Sequence, residues 1–240
     1  MKHFIFSVFA GLSLLTISES CVYVNSDDDI PPRGESTRTY DFKNFDELEM
    51  GSAFRVNVVE GAAFAVSATG ELNDLDDLEV FVQDGKLVAR YNNSWKSHRK
   101  AMDIDITMPD IAGVDFSGAV SASIEGFENL PELEFELSGA SKCDFEGSVR
   151  NLKLDLSGAS RLDLFGDGKF MDGELSGASQ LNAFDWAAEE SDLDVSGASD
   201  ARVWVSRLLD VDASGASSVR YKGSPVVEKK VSGGSTVRPE

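Results

Sequence analysis

The chain has 240 residues and a formal charge of −20, set by 22 Lys and Arg against 42 Asp and Glu. So acidic a chain is repelled by phosphate backbones, which argues against nucleic acid as a partner. Two Cys and two His leave no disulfide scaffold and no His-rich or Cys-rich metal site, and they argue against Ser-His-Asp or Cys-His chemistry.

Met1-Lys2-His3 and the apolar run Phe4 to Ile17 read as a secretory signal peptide over 1–20, too short to span a bilayer. Two readings of its end stay open. Ser18 and Ser20 suit an ordinary signal peptidase, giving a soluble periplasmic or secreted protein. Cys21 just behind the apolar run also fits a bacterial lipoprotein junction, although Glu19 is unusual there. The lipid attachment site is then Cys21, and membrane association would run only through that lipid, at the outer membrane or cell surface. Residues 21–37, with Asn25-Ser26-Asp27-Asp28-Asp29 and Pro31-Pro32, read as a disordered acidic tether.

Residues 38–110 carry short alternating runs that would form the first coils or a β cap. Phe54, Val56 and Val58 alternate, and Met102, Ile104 and Ile106 do the same. Leu78, Val80 and Val82 lead into Asp84-Gly85, then Leu87 and Ala89, which predicts a hairpin. Asn92 to Lys100 is a basic stretch in an acidic chain, an exposed loop that could meet an anionic surface polymer.

Over 111–235 a Ser-Gly-Ala core recurs at Ser117, Ser138, Ser157, Ser176, Ser196 and Ser214, with Ser-Gly-Gly at Ser232. The steps are 21, 19, 19, 20, 18 and 18 residues. Apolar residues fall one and three positions before each Ser and five and seven after it, so period-two strand flanks each mark on both sides. Repeats of this length built from short strands predict an all-β fold, a parallel β-helix with one coil of about 19 residues per repeat. Gly after each Ser is the natural corner; whether the Ser columns face inward or outward stays open. Glu146-Gly147, Gly166-Asp167-Gly168 and Lys222 to Pro225 supply further turn signals, and Ala187 to Glu190 has room for one helical turn. Residues 236–240 are left as a tail, with Lys229, Lys230 and Pro239 discouraging end-to-end pairing.

These features resemble the bacterial family known as the putative auto-transporter adhesin, head GIN domain. The resemblance spans about 38–235 and rests on Phe42, Phe45, Leu48, Phe54, Val56, Val58 and Gly61, on Ile104-Asp105-Ile106-Thr107-Met108-Pro109, and on Asp115-Phe116-Ser117-Gly118-Ala119 with its repeats. It implies a single-stranded right-handed β-helix, usually exported and often a lipoprotein. It implies an adhesin only by name and brings no catalytic residues or cofactor.

If the coils stack in register, Asp115, Glu136, Asp155, Glu174, Asp194 and Asp212 form a column of like charges about 4.8 Å apart, ending on Lys230. Such a column is either a solvated acidic face or a strip for divalent cations. Six residues after each Ser, Asp144, Asp163, Asn182, Arg202 and Arg220 run from acid to base. Cys143 shares a column with Leu162 and Leu181 and should be a buried, inert thiol. Trp95, Trp186 and Trp204 are the aromatic residues available for sugar or protein contacts, with Trp186 in a turn and Trp204 pointing out. A polysaccharide-active enzyme would need paired carboxylates in a groove, and flat ladders do not supply one. The reading is a non-enzymatic cell-envelope protein, an adhesin or binding module for a surface glycan, or a structural or regulatory protein acting on an envelope protein partner.

Overall fold

The computed structural model describes residues 31–93 and 98–240. Strands dominate, at 67% of the chain, and wind into a β-solenoid of about 7 turns with coils of about 19 residues. In chain order these are β1 (Glu35–Tyr40), β2 (Glu47–Met50), β3 (Phe54–Glu60), β4 (Ala65–Glu71), β5 (Leu78–Gln83), β6 (Lys86–Tyr91), β7 (Met102–Met108) and β8 (Gly113–Phe116). The long coils follow as β9 (Ser121–Leu137), β10 (Lys142–Leu156), β11 (Arg161–Leu175), β12 (Gln180–Val195) and β13 (Asp200–Ala213). The last coil comprises β14 (Ser218–Lys222), β15 (Val226–Val231) and β16 (Thr236–Pro239). One short helix, α1 (Leu72–Asp77), interrupts them.

From β9 to β13 each strand pairs in parallel with the next, in register on both sides of the Ser-Gly-Ala corner and shifted only at bulges in mid-strand, so outside the bulges each side chain stands on its equivalent one coil earlier. Alternation along each strand then sends one set of columns inward. Cys143, Leu162, Leu181, Ala201 and Val219 form one buried column, and Leu137, Leu156, Leu175, Val195 and Ala213 another. Phe135 and Phe145 meet edge to face in this core, at 5.6 Å between ring centres.

The corner glycines are fixed by two separate demands. Gly139, Gly158, Gly177, Gly197 and Gly215 all have φ between 70° and 79°, a region that favours Gly. Each also lies against the corner below it: a Cβ on Gly158 would sit 2.5 Å from the Gly139 carbonyl oxygen. That carbonyl is taken up by the Ala159 N–H at 2.7 Å, and the same bond repeats from corner to corner.

Beside the corner the two Ser of each mark part ways. The first sits at the rim, and Ser196 donates to the Leu175 carbonyl of the previous coil at 3.2 Å. The second is buried: Ser141, Ser160, Ser179, Ser199 and Ser217 form an inward polar column. Ser179 donates to the Leu156 carbonyl at 3.1 Å and lies 3.2 Å from the Ser199 hydroxyl.

The N-terminal coils are less regular. β2 and β3 form a coil whose corner, Ser52, has φ 71° and carries the first Ser-Gly-Ala corner, with Ala119 donating to the Ser52 carbonyl at 2.6 Å. The chain then doubles back: β4 runs antiparallel to β1 and β7, and the expected β5–β6 hairpin closes on Asp84 (φ 52°) and Gly85 (φ 85°). α1 is capped by Glu71, whose carboxylate accepts from the backbone N–H of Asn73 at 2.7 Å and of Arg33 at 2.5 Å.

Four boundaries differ from the sequence reading. β1 begins at Glu35, inside the stretch read as tether, because it pairs with β4. β16 pairs in parallel with β14, so residues 236–239 complete the last coil instead of trailing from it. Ala187 to Glu190 is strand within β12, since its backbone is held by β11 and β13 on both sides. Glu146-Gly147 and Gly166 to Gly168 are bends inside continuous strands, where Gly147 and Gly166 let successive coils approach without a Cβ.

Candidate functional site

Among the described residues the inward columns of the coils hold the apolar core and the buried Ser, and the charged side chains of β9 to β13 stand on the outer columns. Two of these stand side by side on one face. The column two residues before each Ser holds in register: Glu49, Asp115, Glu136, Asp155, Glu174, Asp194 and Asp212, ending on Lys230. Two residues earlier runs a second column, Glu47, Gly113, Glu134, Lys153, Asp172, Asp192, Asp210 and Glu228. The two columns thus present thirteen carboxylates, with Lys86, Lys153 and Lys230 reaching them, a local −10 out of the formal −20 of the whole chain. The second column was not singled out in the sequence, although the same offset rule reveals it.

Burial and, after it, repulsion both show in the carboxyls themselves. Partial burial, then Glu49, raises Asp115 above the ordinary carboxylate range. Burial followed by Asp115 raises Glu136, and burial followed by Asp210 and Asp172 raises Asp192. A shallow groove of about 480 Å³ runs along this face, lined by Asp155, Glu174, Asp194 and Asp212 and by the rim Ser176, Ser196 and Ser214. Among the described residues no group of three or more His, Cys, Asp or Glu has the geometry to hold a metal ion.

The face beyond the Gly corner is different. Asp144, Asp163, Asn182, Arg202, Arg220 and then Arg238 stack in register, the acid-to-base column the sequence suggested, one residue longer. It is internally bonded. Arg161 grips Asp163 through Nε at 2.6 Å and a terminal nitrogen at 2.8 Å, and Asn182 Nδ2 donates to Asp163 at 2.7 Å. Burial would raise the Asp163 carboxyl, but these donors hold it below the usual range, whereas burial and the neighbouring Asp163 raise Asp144. Arg202 likewise donates to Asp200 at 3.1 Å.

Outward beside that column, eight residues after each Ser, stand Phe165, Phe184 and Trp204 on consecutive coils. Phe165 and Trp204 are 42% and 44% exposed. The middle coil is bulged: Ala183 pairs with Val203 and Ala187 with Trp204, leaving Phe184, Asp185 and Trp186 looped out of the β12–β13 ladder. Phe184, next to the inward Ala183, points outward and is half-buried, and the bulge drives Trp186 into the core, where it is fully buried. Trp186 is therefore not a turn residue available for contact. Its ring occupies the space over Gly168, where a Cβ would lie 2.2 Å from ring carbon Cζ2.

Cys143 is buried, and burial, then Asp144 and Asp163, push its thiol well up, so it is inert as expected. Trp95 and Cys21 lie outside the described residues. Arg99, in the basic stretch, is not an exposed contact: it packs 3.6 Å over the Tyr91 ring and pairs with Asp77 and Asp74. Burial, with Asp74 adding to it, pushes the Tyr91 hydroxyl up to about 12.

No helix among the described residues is long and apolar enough to cross a membrane. No functionally curated protein matches this sequence. Solved structures share its fold. A putative adhesin from Bacteroides fragilis NCTC 9343 is 23% identical with a TM-score of 0.83, over 88% of this chain and 99% of that one. A putative adhesin from Parabacteroides merdae ATCC 43184 is 18% identical, TM-score 0.65, over 86% and 96%. A protein of Parabacteroides distasonis ATCC 8503 described as a putative lipid binding protein is 17% identical, TM-score 0.71, over 87% and 98%. At these identities the likeness is one of fold. The sequence itself matches the family model over residues 44–225; the chain belongs to the family described as "Putative auto-transporter adhesin, head GIN domain".

Proposed function

We propose that the protein is an exported, non-enzymatic adhesin of the cell envelope, which holds a stiff β-solenoid outward and binds through the sides of its coils. One observation carries this reading: among the described residues the coils close over an apolar core and present outward columns that run from coil to coil, among them the acidic pair from Glu47 and Glu49 to Asp210 and Asp212. Such columns suit binding to an extended surface better than enclosing a small substrate. The family description points the same way.

Export rests on the apolar run behind Met1-Lys2-His3, and anchoring on Cys21. Lipid on Cys21 would place the solenoid on the outer membrane with 22–34 as its tether. Mass spectrometry of the mature N-terminus with membrane fractionation tests this, and an unmodified, soluble product would refute the anchor. The function is tested by deleting the gene and measuring surface attachment and matrix binding. Unchanged attachment would refute the adhesin reading, and stable co-purification with an envelope protein in its place would make the solenoid a structural or regulatory partner.

A further inference from the structure

We infer that the face built on Phe165, Phe184 and Trp204 is a binding site for a neutral glycan chain lying along the solenoid axis. The inference deepens the adhesin reading and rests on it. Three outward aromatic side chains stand on three consecutive coils, Phe165 in register with Glu146 on one side and Trp204 with Lys222 on the other. Phe184 sits in the bulge between them, where Phe165 pairs with Asp185 and Trp204 with Ala187. Large apolar rings left at the surface are costly unless they serve contact. Here the core has room for a large ring, since the bulge next to the outward Phe184 buries Trp186. Phe165 and Phe184 line a cavity of about 370 Å³ with Asp163, Asn182, Arg161 and Arg202. Trp204 stands one coil further along, and the Lys222 ammonium lies 4.4 Å from the centre of the Phe184 ring.

The composition of the face selects the ligand. Arg161, Arg202 and Lys222 stand against Glu146, Asp163, Asp185 and Asp200, three cations against four carboxylates, so the patch carries −1, close to neutral on a chain of −20. Neither a polyanion nor a polycation is favoured there. Sugar rings offer an apolar C–H face for aromatic rings and hydroxyls on their edges for planar polar groups. This face offers both, in adjacent columns. The planar groups are already oriented by one another, Arg161 and Asn182 on Asp163 and Arg202 on Asp200, so little ordering cost remains on binding. By coil stacking Phe165 and Trp204 are separated by about 9.6 Å along the axis, on the scale of two sugar rings. A linear polymer laid along the axis meets the same pair of chemistries on each coil, a regularity that a folded protein partner would not require.

The test uses purified protein on an array of neutral and anionic oligosaccharides, followed by calorimetric titration of the strongest neutral oligosaccharide. Binding of a neutral chain is expected, weakened about tenfold or more by Trp204→Ala and by Phe165→Ala, as for other central aromatic contacts. Trp204→Phe should keep most of it, and Asp194→Asn on the acidic face all of it. Both alanine sites are surface positions, and unchanged melting curves will show that these variants fold. No neutral binding, binding to anionic chains alone, or affinity untouched by both alanine variants overturns the inference, as does capture of a protein competed away by Trp204→Ala without any glycan. A deletion strain that loses attachment while Trp204→Ala restores it would sink this site and leave the adhesin reading standing; a deletion strain with normal attachment would sink that reading.

Discussion

Asp192 sits in the most crowded part of the acidic face, between Asp172 and Asp210 on the neighbouring coils and beside Asp194 on its own. At about 4.8 Å in water each coil-to-coil pair repels by about 0.9 kcal/mol. Replacing Asp192 by Asn removes two such pairs, about 1.7 kcal/mol at low salt, which falls to about 1 kcal/mol when screening acts over about 8 Å. For a chain of this size that is a rise in Tm of about 2–4 °C. The sign with pH follows from the raised carboxyl. Below its ordinary value of 3.8 the side chain is protonated in both folded and unfolded chains, and no penalty exists. As pH climbs through that value and past the higher folded one, the folded protein alone holds a strained charge and loses stability. Thermal unfolding of wild type and Asp192→Asn should therefore differ at neutral pH, more at low salt, and coincide at about pH 3. An Asn variant that is no more stable at neutral pH and low salt, or whose gain survives at pH 3, would refute the repulsive-ladder argument.

Gly158→Ala should destabilise by several kcal/mol, since it combines a φ of 71° with a Cβ 2.5 Å from the Gly139 carbonyl; a melting curve within 2 °C of wild type would contradict the stacked-corner geometry. Trp186→Ala opens a cavity beneath Gly168 and should cost about 3–5 kcal/mol, read by chemical denaturation, whereas Trp204→Ala at the surface should cost about 0.5 kcal/mol or less. Cys143 should react with a bulky thiol reagent only as fast as the protein unfolds, and labelling of native protein at the unfolded rate would place the thiol elsewhere. Lys229 falls in an inward column under Val211, and its ammonium crosses the open end of the last coil to the Val237 carbonyl at 3.2 Å. Lys229→Met should leave that end apolar and promote end-to-end association in light scattering.

How much was legible in the sequence depended on repetition. Where Ser-Gly-Ala recurs, counting from the Ser assigned the columns from three residues before it to seven after it, because a solenoid converts offset in sequence into stacking in space. Thus Cys143 was placed in the core and Asp115 through Asp212 on one line. The counting failed at Trp186, where the step of 20 residues was in plain view but nothing said which residue the extra length would displace. It also failed at Ser52, a corner without the mark: no corner of the repeat lies beneath it, so the contact that demands Gly at 158 is missing there. The antiparallel return through β4, α1 and the β5–β6 hairpin rests on long-range pairing that local alternation does not encode. The outward Trp204 was legible from the inward Val203 before it, whereas Phe165 and Phe184 were not singled out, because the bulge takes Phe184 out of register with both neighbours.

The bulge at Phe184 to Trp186 also bears on how such a chain can change over generations. Each coil offers the next an identical seat, so gain or loss of a whole repeat alters length while leaving every neighbour's surroundings as they were. A gain of a single residue has no such neutral outcome, because the corner glycines on either side are locked in contact and cannot share the slack. The excess has to leave the ladder, and in this chain it sends Trp186 into the core two residues after the outward Phe184. Individuality in an otherwise monotonous surface thus arises where the repeat miscounts, and relatives of this chain can be searched for their own contact residues at the coils whose length departs from their neighbours'.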